Sequence, residues 1–321
     1  MLIILEGPDC SGKSTLASKL ACELEKRFPD NTVTLLHKGP PEVHPLDEYE
    51  TPLLDYRPQR GHHIICDRWH WGESVYPTVL NRPTLMDDGV RLHIEMFLRS
   101  RGAIIVHVSA NDRVLDQCIS RRGDDLIEAG KGHQLNELYE IVAMSSLLPI
   151  VNVDGRHVID DTIQAIIHRA GIESTAAVKL NPFTTYIGPP SPRMLLIGDV
   201  RHHVDPDASA SDPRPTFMPY QSTSGHFLTN ALARHADIRE LRSMGIVNAC
   251  DVDDIDLLRH MLDRPTSVAL GRKAFKAAHW ADWPVSHPQF IRRFKHSTGS
   301  TYVNDILGRG RTDFYDRVER L

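Results

Sequence analysis

The feature that most constrains this sequence is a glycine-rich turn near its beginning. The segment Gly7–Ser14 has the sequence Gly-Pro-Asp-Cys-Ser-Gly-Lys-Ser, which matches the pattern G-x-x-x-x-G-K-S. The apolar run Leu2–Leu5 before it predicts a buried strand, and apolar residues at four-residue spacing from Leu16 to Phe28 predict a helix after it. A strand, a glycine turn and a helix in this order form the context of a phosphate-binding loop. We therefore expect this loop to bind a nucleoside triphosphate.

The chemistry of such a loop assigns roles to its residues. Glycines let the backbone curl so that successive N–H groups face phosphate oxygens, and the start of the next helix adds a favourable potential. Lys13 can reach the β- and γ-phosphates, and the Ser14 hydroxyl can ligate Mg²⁺. ATP and Mg²⁺ are therefore the predicted cofactors. The predicted ATP ligands are Gly7, Pro8, Cys10, Ser11, Gly12, Lys13, Ser14 and Thr15.

The composition is that of an ordinary globular protein, with 25% charged and 41% hydrophobic residues among 321. At ~100–200 residues per domain, this length predicts two domains. The net charge of −5 argues against a protein that holds duplex DNA mainly by charge, although a local basic patch is compatible with it. No apolar run approaches the ~18 residues of a membrane span. The five scattered cysteines predict reduced thiols, so we expect a cytoplasmic protein with no membrane partner.

The order of apolar segments predicts the domain organisation. Strand-like and helical segments alternate over residues 1–172, which predicts a parallel sheet with helices on both faces. Residues 173–192 are rich in Thr, Ala and Pro and predict a linker. The predicted fold class is α/β: a three-layer α/β/α P-loop domain, then a second, smaller α/β domain over residues 193–321. The predicted strands are Leu2–Leu5, Thr32–Leu36, His63–Cys66, Ala103–Val108, Ile150–Val153, Met194–Ile197, Gly245–Asn248 and Ser267–Leu270.

Asp67 and Arg68 come directly after the apolar run His63–Cys66. In a P-loop fold, a carboxylate at the end of such a strand lies beside Mg²⁺ and holds it directly or through water. A cap on the next turn is the alternative role for Asp67. Arg68 projects into the same cleft and can clamp a phosphate with two hydrogen bonds. Three aromatic residues follow that are equally consistent with the core and with a pocket wall: Trp69, Trp71 and Tyr76.

A basic pair, Arg121 and Arg122, ends a predicted helix over Arg113–Arg121 and precedes a Gly-Asp-Asp segment. Phosphoryl transfer develops negative charge on the γ-phosphate, and arginines that close over it neutralise that charge. The alternative is a solvated helix end, where basic residues complement the helix dipole. After a P-loop and Asp67–Arg68, the pair favours a lid.

Residues 1–170 resemble the thymidylate kinase family of nucleoside monophosphate kinases. Glu6-Gly-Pro-Asp9-x-x-Gly-Lys-Ser-Thr is similar to the P-loop of that family, and Asp67-Arg68-Trp69 is similar to its Asp-Arg-aromatic motif. The resemblance implies that Asp9 contacts the acceptor sugar, that Arg68 grips the acceptor phosphate and that Tyr76 lies in the acceptor site. It leaves a homodimer open.

The same resemblance implies a catalytic set of Lys13, Arg68, Arg121 and Arg122. The interior of the P-loop carries no basic residue, so the two lid arginines would supply the missing charge. Where the family has Arg-Glu-Pro-Gly, this chain has His37–Pro41, and Lys38 is the predicted substitute ligand of the acceptor phosphate.

The base of the acceptor stays open. Residues 43–60 do not follow the base-binding sequence of the thymidylate kinase family, and Trp69–Glu73 is similar to divergent phage-type and deoxynucleoside kinases. The acceptor can be dTMP, a modified deoxynucleotide, a nucleoside, or a base hydroxyl already in DNA.

Three segments of the second half resemble, in order and spacing, the uracil-DNA glycosylase superfamily. Asp199 ends the segment that begins at Met194, Phe217 begins the second, and His287-Pro288-Gln289 belongs to the third. The resemblance implies that Phe217 stacks on a base, that Asn248 recognises its edge and that His287 faces the leaving base. Asp199 would then position water. Val200-Arg201 departs from the small-Pro-Gly of that superfamily. A domain that only binds a base or nucleotide, or a set of core residues, is the alternative.

The leading hypothesis is thus an ATP-dependent kinase of a deoxynucleoside monophosphate, dTMP or a modified pyrimidine nucleotide, fused to a glycosylase-like domain. Its expected partners are the nucleotide substrate and single-stranded or modified DNA. Two alternatives remain: a kinase of a hydroxylated base within DNA, and an ATP-switched nucleic-acid-binding protein without phosphoryl transfer.

Overall fold

The computed structural model describes residues 1–56, 61–122, 130–178, 186–198, 224–249, 252, 254–294 and 297–309. Contacts divide the chain into two compact units. The first unit comprises Met1–Met86 and Arg101–Val178, and the second comprises Asp87–Ser100 and Lys179–Leu321. In the described part of the chain, no helix is both long and apolar enough to cross a membrane.

The first unit alternates strands and helices. Its elements are β1 (Leu2–Glu6), α1 (Lys13–Arg27), β2 (Thr32–His37), α2 (Pro45–Glu50), a 3-10 turn (Thr51–Leu53), β3 (His62–Asp67), α3 (Gly72–Leu80), β4 (Ala103–Ser109), α5 (Asp112–Arg122), α6 (Gly132–Met144), β5 (Ile150–Asp154) and α7 (Asp160–Val178). The five strands form one parallel sheet in the order β2-β3-β1-β4-β5.

The apolar strand β1 lies at the centre of this sheet, and all five of its residues are buried. Ile3 and Leu5 pack on one face with Leu16 and Leu20 of α1 and Ile166 of α7. Full burial of such a side chain stabilises a fold by about 1.5–3 kcal/mol. Because the strands are parallel, β1 and β3 end at the same edge of the sheet, and this edge carries the predicted loop and Asp67.

The second unit is also α/β. Its elements are α4 (Asp88–Ser100), β6 (Met194–Gly198), α8 (Ser224–His235), α9 (Ile238–Arg242), β7 (Met244–Asn248), α10 (Ile255–Met261), β8 (Thr266–Leu270), α11 (Arg272–Ala277), β9 (Trp283–Val285), α12 (Pro288–Phe294) and α13 (Gly299–Ile306). The strands form a parallel sheet in the order β7-β6-β8-β9. Leu195 and Ile197 of β6 pack with Leu258 of α10 and Ala274 of α11 in its core.

The predicted α/β class with parallel sheets is confirmed, and all eight predicted strands are present. Two boundaries differ from expectation. Helix α7 continues to Val178, past residue 173, where the predicted linker began. Helix α4 groups with the second unit, although it falls within residues 1–172. It packs against α8, and Gly89 allows this approach because a Cβ there would lie 2.8 Å from Cγ of Asn230. The predicted domain boundary itself stays a prediction.

Candidate active site

The loop between β1 and α1 is shaped by close backbone packing. Gly7 has φ 145°, and a Cβ at this position would lie 2.1 Å from the carbonyl oxygen of Val108. Cys10 and Gly12 also have positive φ angles, 66° and 97°. Gly12 precedes α1 without a side-chain cap, so no side chain at that position occupies the first N–H groups of the helix. An open helix start of this kind is an anion-binding site.

Lys13 lies inside the loop rather than in solvent. Its side chain is buried, and Nζ donates to the carbonyl oxygens of Gly7 at 2.7 Å and Pro8 at 2.5 Å. Burial lowers the pKa of Lys13 to about 8, although the carboxylate of Asp9 raises it in part. Phosphate oxygens would replace the two carbonyls as partners of this ammonium and stabilise its charge.

Gly155 is a part of the loop that sequence reasoning missed. It follows β5, and a Cβ on it would lie 1.7 Å from the carbonyl oxygen of Ser11, so no larger residue fits without moving the loop. Its own carbonyl oxygen lies 3.0 Å from the Cβ position of Gly12. The available signal was a glycine two residues after the predicted strand Ile150–Val153, which indicates a close backbone approach.

Ser14 and Asp67 meet at the sheet edge as expected. The Ser14 hydroxyl donates to Oδ2 of Asp67 at 2.7 Å. Oδ1 of Asp67 is buried and has no hydrogen-bond partner in the described part of the chain. A hydroxyl beside an unpartnered carboxylate oxygen is the hard oxygen donor set that Mg²⁺ takes with one or two protein ligands. The pair fits Mg²⁺, although no group of three or more His, Cys, Asp or Glu side chains suited to a metal is found among the described residues.

Arg68 is held in an uncommon backbone conformation next to the loop. Its φ is 68°, a left-handed value that costs a non-glycine residue of the order of 1 kcal/mol. Its N–H donates to the carbonyl oxygen of Leu5 at 3.1 Å, and Nη2 lies 2.6 Å from Oδ1 of Asp9. The turn therefore directs the guanidinium to the carboxylate inside the P-loop.

Glu6, at the end of β1, stabilises the turn that contains Arg68. It is buried, and its Oε1 accepts a hydrogen bond from the backbone N–H of Trp71 at 2.8 Å. Burial raises the pKa of Glu6 to about 8, and the Trp71 hydrogen bond and the Lys13 charge oppose this rise. The carboxyl group therefore binds a proton near neutral pH and links β1 to the segment that follows β3.

A cavity of about 170 Å³ opens beside the loop. Four residues predicted to bind the acceptor line it together: Asp9, Lys38, Arg68 and Tyr76. The Tyr76 hydroxyl accepts the backbone N–H of Asp9 at 3.0 Å, and Lys38 Nζ lies 2.5 Å from Glu48 Oε1. Trp69 also lines the cavity, so this aromatic residue is both buried and part of the wall. Trp71, by contrast, is fully buried.

The predicted lid lies mostly outside the described residues. Arg121 is exposed near the end of α5, and Arg122 is the last residue of that helix, with its side chain outside the description. The Gly-Asp-Asp segment that follows is outside it as well. The catalytic role of the two arginines stays a prediction.

In the second unit, two of the four predicted site residues are described, and Asp199 and Phe217 lie outside the described residues. Asn248 is the buried last residue of β7, and His287 follows β9. His287 packs at 3.0 Å from the Cβ position of Gly271, and its Nδ1 accepts the N–H of Gln289 at 3.2 Å. This bond satisfies the start of α12, which is a structural role.

The comparisons with known proteins concern about half of the chain. A stretch of 141 residues is 31% identical to the SPbeta prophage-derived protein YorR of Bacillus subtilis (strain 168) and covers 44% of this chain and 81% of YorR. The chain belongs to the YorR family. No family model matches it. Because YorR matches 44% of the chain, this membership rests on less than half of it.

Solved structures of similar proteins also cover about half of the chain. A crystal structure of Bacillus subtilis YorR in complex with phosphorylated GDP is 27% identical, with a TM-score of 0.42, over 55% of this chain and 98% of YorR. A deoxyadenosine kinase of M. mycoides with bound dCTP is 20% identical, with a TM-score of 0.32, over 54% of this chain and all of the kinase. The resemblances to thymidylate kinases and to uracil-DNA glycosylases stay predictions.

Proposed function

We propose that the first unit is an ATP-dependent kinase that converts a deoxynucleoside monophosphate, dTMP or a modified pyrimidine nucleotide, to the diphosphate. One observation carries the proposal. Asp9 belongs to the P-loop and also lines the adjacent cavity, where it pairs with Arg68. A phosphate donor on the loop and an acceptor in the cavity would therefore meet at the same residue.

On the donor side, the loop backbone and Lys13 bind the triphosphate. The buried ammonium exchanges its two carbonyl partners for oxygens of the β- and γ-phosphates. Ser14 and Asp67 would hold Mg²⁺, which would supply positive charge next to the bound triphosphate. Few water molecules remain next to Lys13 because the loop buries it, so its charge acts on the transferring group with little screening.

On the acceptor side, Arg68 and Lys38 are both paired with carboxylates, Asp9 and Glu48, in the ligand-free protein. An acceptor phosphate offers Arg68 a bidentate partner and offers Lys38 a negative charge to pair with. Arg68 then releases Asp9 to accept the hydrogen bond of a sugar hydroxyl. An oxygen of the acceptor phosphate attacks the γ-phosphorus, a new P–O bond forms, and the bond to the β-phosphate breaks. ADP leaves with the electron pair, and Arg121 and Arg122 neutralise the charge of the transferring group.

For the second unit we propose a module that binds a base or nucleotide, including one in single-stranded or modified DNA. Asn248 and His287 support this part because Asn248 ends β7 and His287 follows β9, both at the carboxyl edge of one parallel sheet. Ligands of open α/β sheets bind at that edge.

The test is a turnover panel with the full-length protein, ATP, Mg²⁺ and each deoxynucleoside, deoxynucleoside monophosphate and single-stranded oligonucleotide separately. The proposal expects ADP and a nucleoside diphosphate in equal amounts. If ADP forms only with nucleosides, or only with DNA, that compound is the acceptor instead of a deoxynucleoside monophosphate. No ADP above background with any acceptor would contradict a kinase.

A further inference from the structure

The cavity contains one further charged pair, away from the residues that we assign to the acceptor phosphate. Glu73 is almost fully buried on α3, and Arg82 folds back onto it. Nη1 and Nη2 of Arg82 donate to the two carboxylate oxygens at 3.1 Å and 2.5 Å. Both residues line the cavity. The bend that brings them together is Asn81, a left-handed residue that ends α3.

This pair offers more donors than acceptors to a ligand. Oε1 of Glu73 also accepts the Thr84 hydroxyl at 2.7 Å, so both oxygens are engaged. A guanidinium has five N–H donors. Two of these N–H donors in Arg82 bind Glu73, and a third donates to the carbonyl oxygen of Pro83 at 3.4 Å. The other two have no partner in the described part of the chain.

Trp69 forms part of the wall of the same cavity. Its indole Nε1 is buried and has no hydrogen-bond partner among the described residues. Trp69 lies against Tyr49, with ring centroids 5.7 Å apart. The cavity thus combines flat aromatic side chains with an excess of N–H donors. Its aromatic lining residues are Tyr49, Trp69, Tyr76 and Tyr139.

Flat apolar walls fit a planar ring, and unpartnered donors require acceptors on its edge. Thymine, uracil and guanine present a carbonyl oxygen at the position where cytosine and adenine carry an amino group. An amino group would place its N–H bonds against the donors of Arg82. The Arg82 side chain is 31% exposed, so water serves its free donors until a base covers them. Donors that lose water without gaining an acceptor disfavour a ligand.

We propose that Arg82, held in orientation by Glu73, recognises the carbonyl edge of the acceptor base and selects keto bases over amino bases. This rests on the proposed function, since it assumes that the cavity binds the acceptor nucleotide. Glu73 is a positioning residue: it fixes the plane of the guanidinium and itself has little capacity left to bind the base.

The test compares binding of dTMP, dGMP, dCMP and dAMP to the full-length protein by calorimetry, without ATP. We expect dTMP or dGMP to bind at least about tenfold more tightly than the amino nucleotide of the same ring size. Comparison within a ring size, dTMP against dCMP and dGMP against dAMP, removes the effect of cavity volume. Equal affinities within both pairs would overturn the proposal.

Two variants test whether Arg82 and Glu73 cause the preference for keto bases. Arg82→Lys keeps the positive charge beside Glu73 but loses the planar fork, and we expect the keto preference to fall below about threefold. Glu73→Leu with Arg82→Met removes the pair without leaving a buried charge unpaired, and its preference should vanish too. Arg27→Ala, on the exposed end of α1, is the control. Unchanged ATP binding shows that each variant is folded, and an intact preference in both variants would refute the assignment.

Failure of this inference and failure of the proposed function give different results. If turnover occurs with all four nucleotides at similar KM, the kinase stands and the assignment of Arg82 is wrong. If keto nucleotides bind selectively but no diphosphate forms, the assignment stands and the kinase is wrong.

Discussion

The two parallel sheets of this protein have the same topology at their centres and very different chemistry at their edges. In each, the first strand lies between two later ones: β1 between β3 and β4, and β6 between β7 and β8. Such a reversal of strand order opens a crevice at the carboxyl ends, where α/β proteins bind ligands. Topology therefore predicts a binding place in both units.

Among the residues that the structure describes, a matched set of chemical groups is found at the first crevice and not at the second. There the Lys13 ammonium bonds a carbonyl of the P-loop, the Ser14 hydroxyl bonds Asp67, and Arg68 pairs with Asp9. At the second edge, Asn248 is buried and the Nδ1 of His287 binds the start of a helix. Strand order therefore positions a crevice, whereas the residue types at the end of each strand decide which reaction that crevice can support.

The strongest test of the first crevice is Lys13→Ala. Removing the buried ammonium deletes the main positive charge on the transferring phosphate, and we expect kcat to fall by on the order of 10³-fold. Turnover of the best acceptor in the panel is the measurement. Lys19→Ala, an exposed lysine of the same helix, is the matched control and should retain full activity. If kcat of Lys13→Ala falls by less than tenfold, the loop is not part of the catalytic site.

The second test concerns the pH dependence of stability. Folding raises the pKa of Glu6 from 4.5 to about 8, because the carboxyl group is buried. Between these values the folded protein retains a proton that the unfolded chain has lost, so the unfolding free energy falls as pH rises from 5 to 8. Each unit of pKa difference corresponds to about 1.4 kcal/mol, so the total is on the order of a few kcal/mol.

Hydrogen exchange of the β1 amides at pH 5, 6.5 and 8 measures this fall in the wild type and in Glu6→Gln. The amide side chain does not titrate, so the variant should lose less stability over this range. Glu25→Gln, exposed on α1, controls for the loss of a carboxylate. Parallel pH profiles for the wild type and Glu6→Gln would show that Glu6 ionises normally.

Gly155→Ala gives a smaller effect in the same crevice. The added methyl group would lie against the carbonyl oxygen of Ser11 and displace the loop, at a cost of about 1–3 kcal/mol. We expect a raised KM for ATP, with the KM for the acceptor changed less. Gly171→Ala in α7 is the control, since nothing lies within 4 Å of the added Cβ there. Equal ATP KM values in the two variants would contradict the packing seen here.

The smallest effect is expected at the second edge. Asn248→Ala removes a buried side chain of the second sheet and none of the groups of the first cavity. Phosphorylation of the free nucleotide should therefore stay within about twofold of the wild type, while binding of a base or oligonucleotide to the second unit weakens by about 1–3 kcal/mol. A tenfold drop in kcat with normal base binding would reverse the proposed division of roles.

The parts that the sequence predicted are those with local causes. The eight strands follow from short apolar runs, and the loop follows from a motif within eight residues. Helix α3 was missed because it contains Pro77, which normally opposes a helix interior. Gly155 and the Glu73–Arg82 pair were missed as well, since their roles arise from contacts that tertiary folding creates.

Helix α4 limits how the two halves can be dissected. Most of its residues are buried, and its packing partner α8 begins more than 120 residues later, at Ser224. A gene fragment that ends in the predicted linker would encode α4 without α8 and leave an apolar helix face with no cover. Aggregation of such a fragment would say nothing about its chemistry. Activities of this chain should be separated by point substitution, and a homologue of half its length must cover or replace that helix face in some other way.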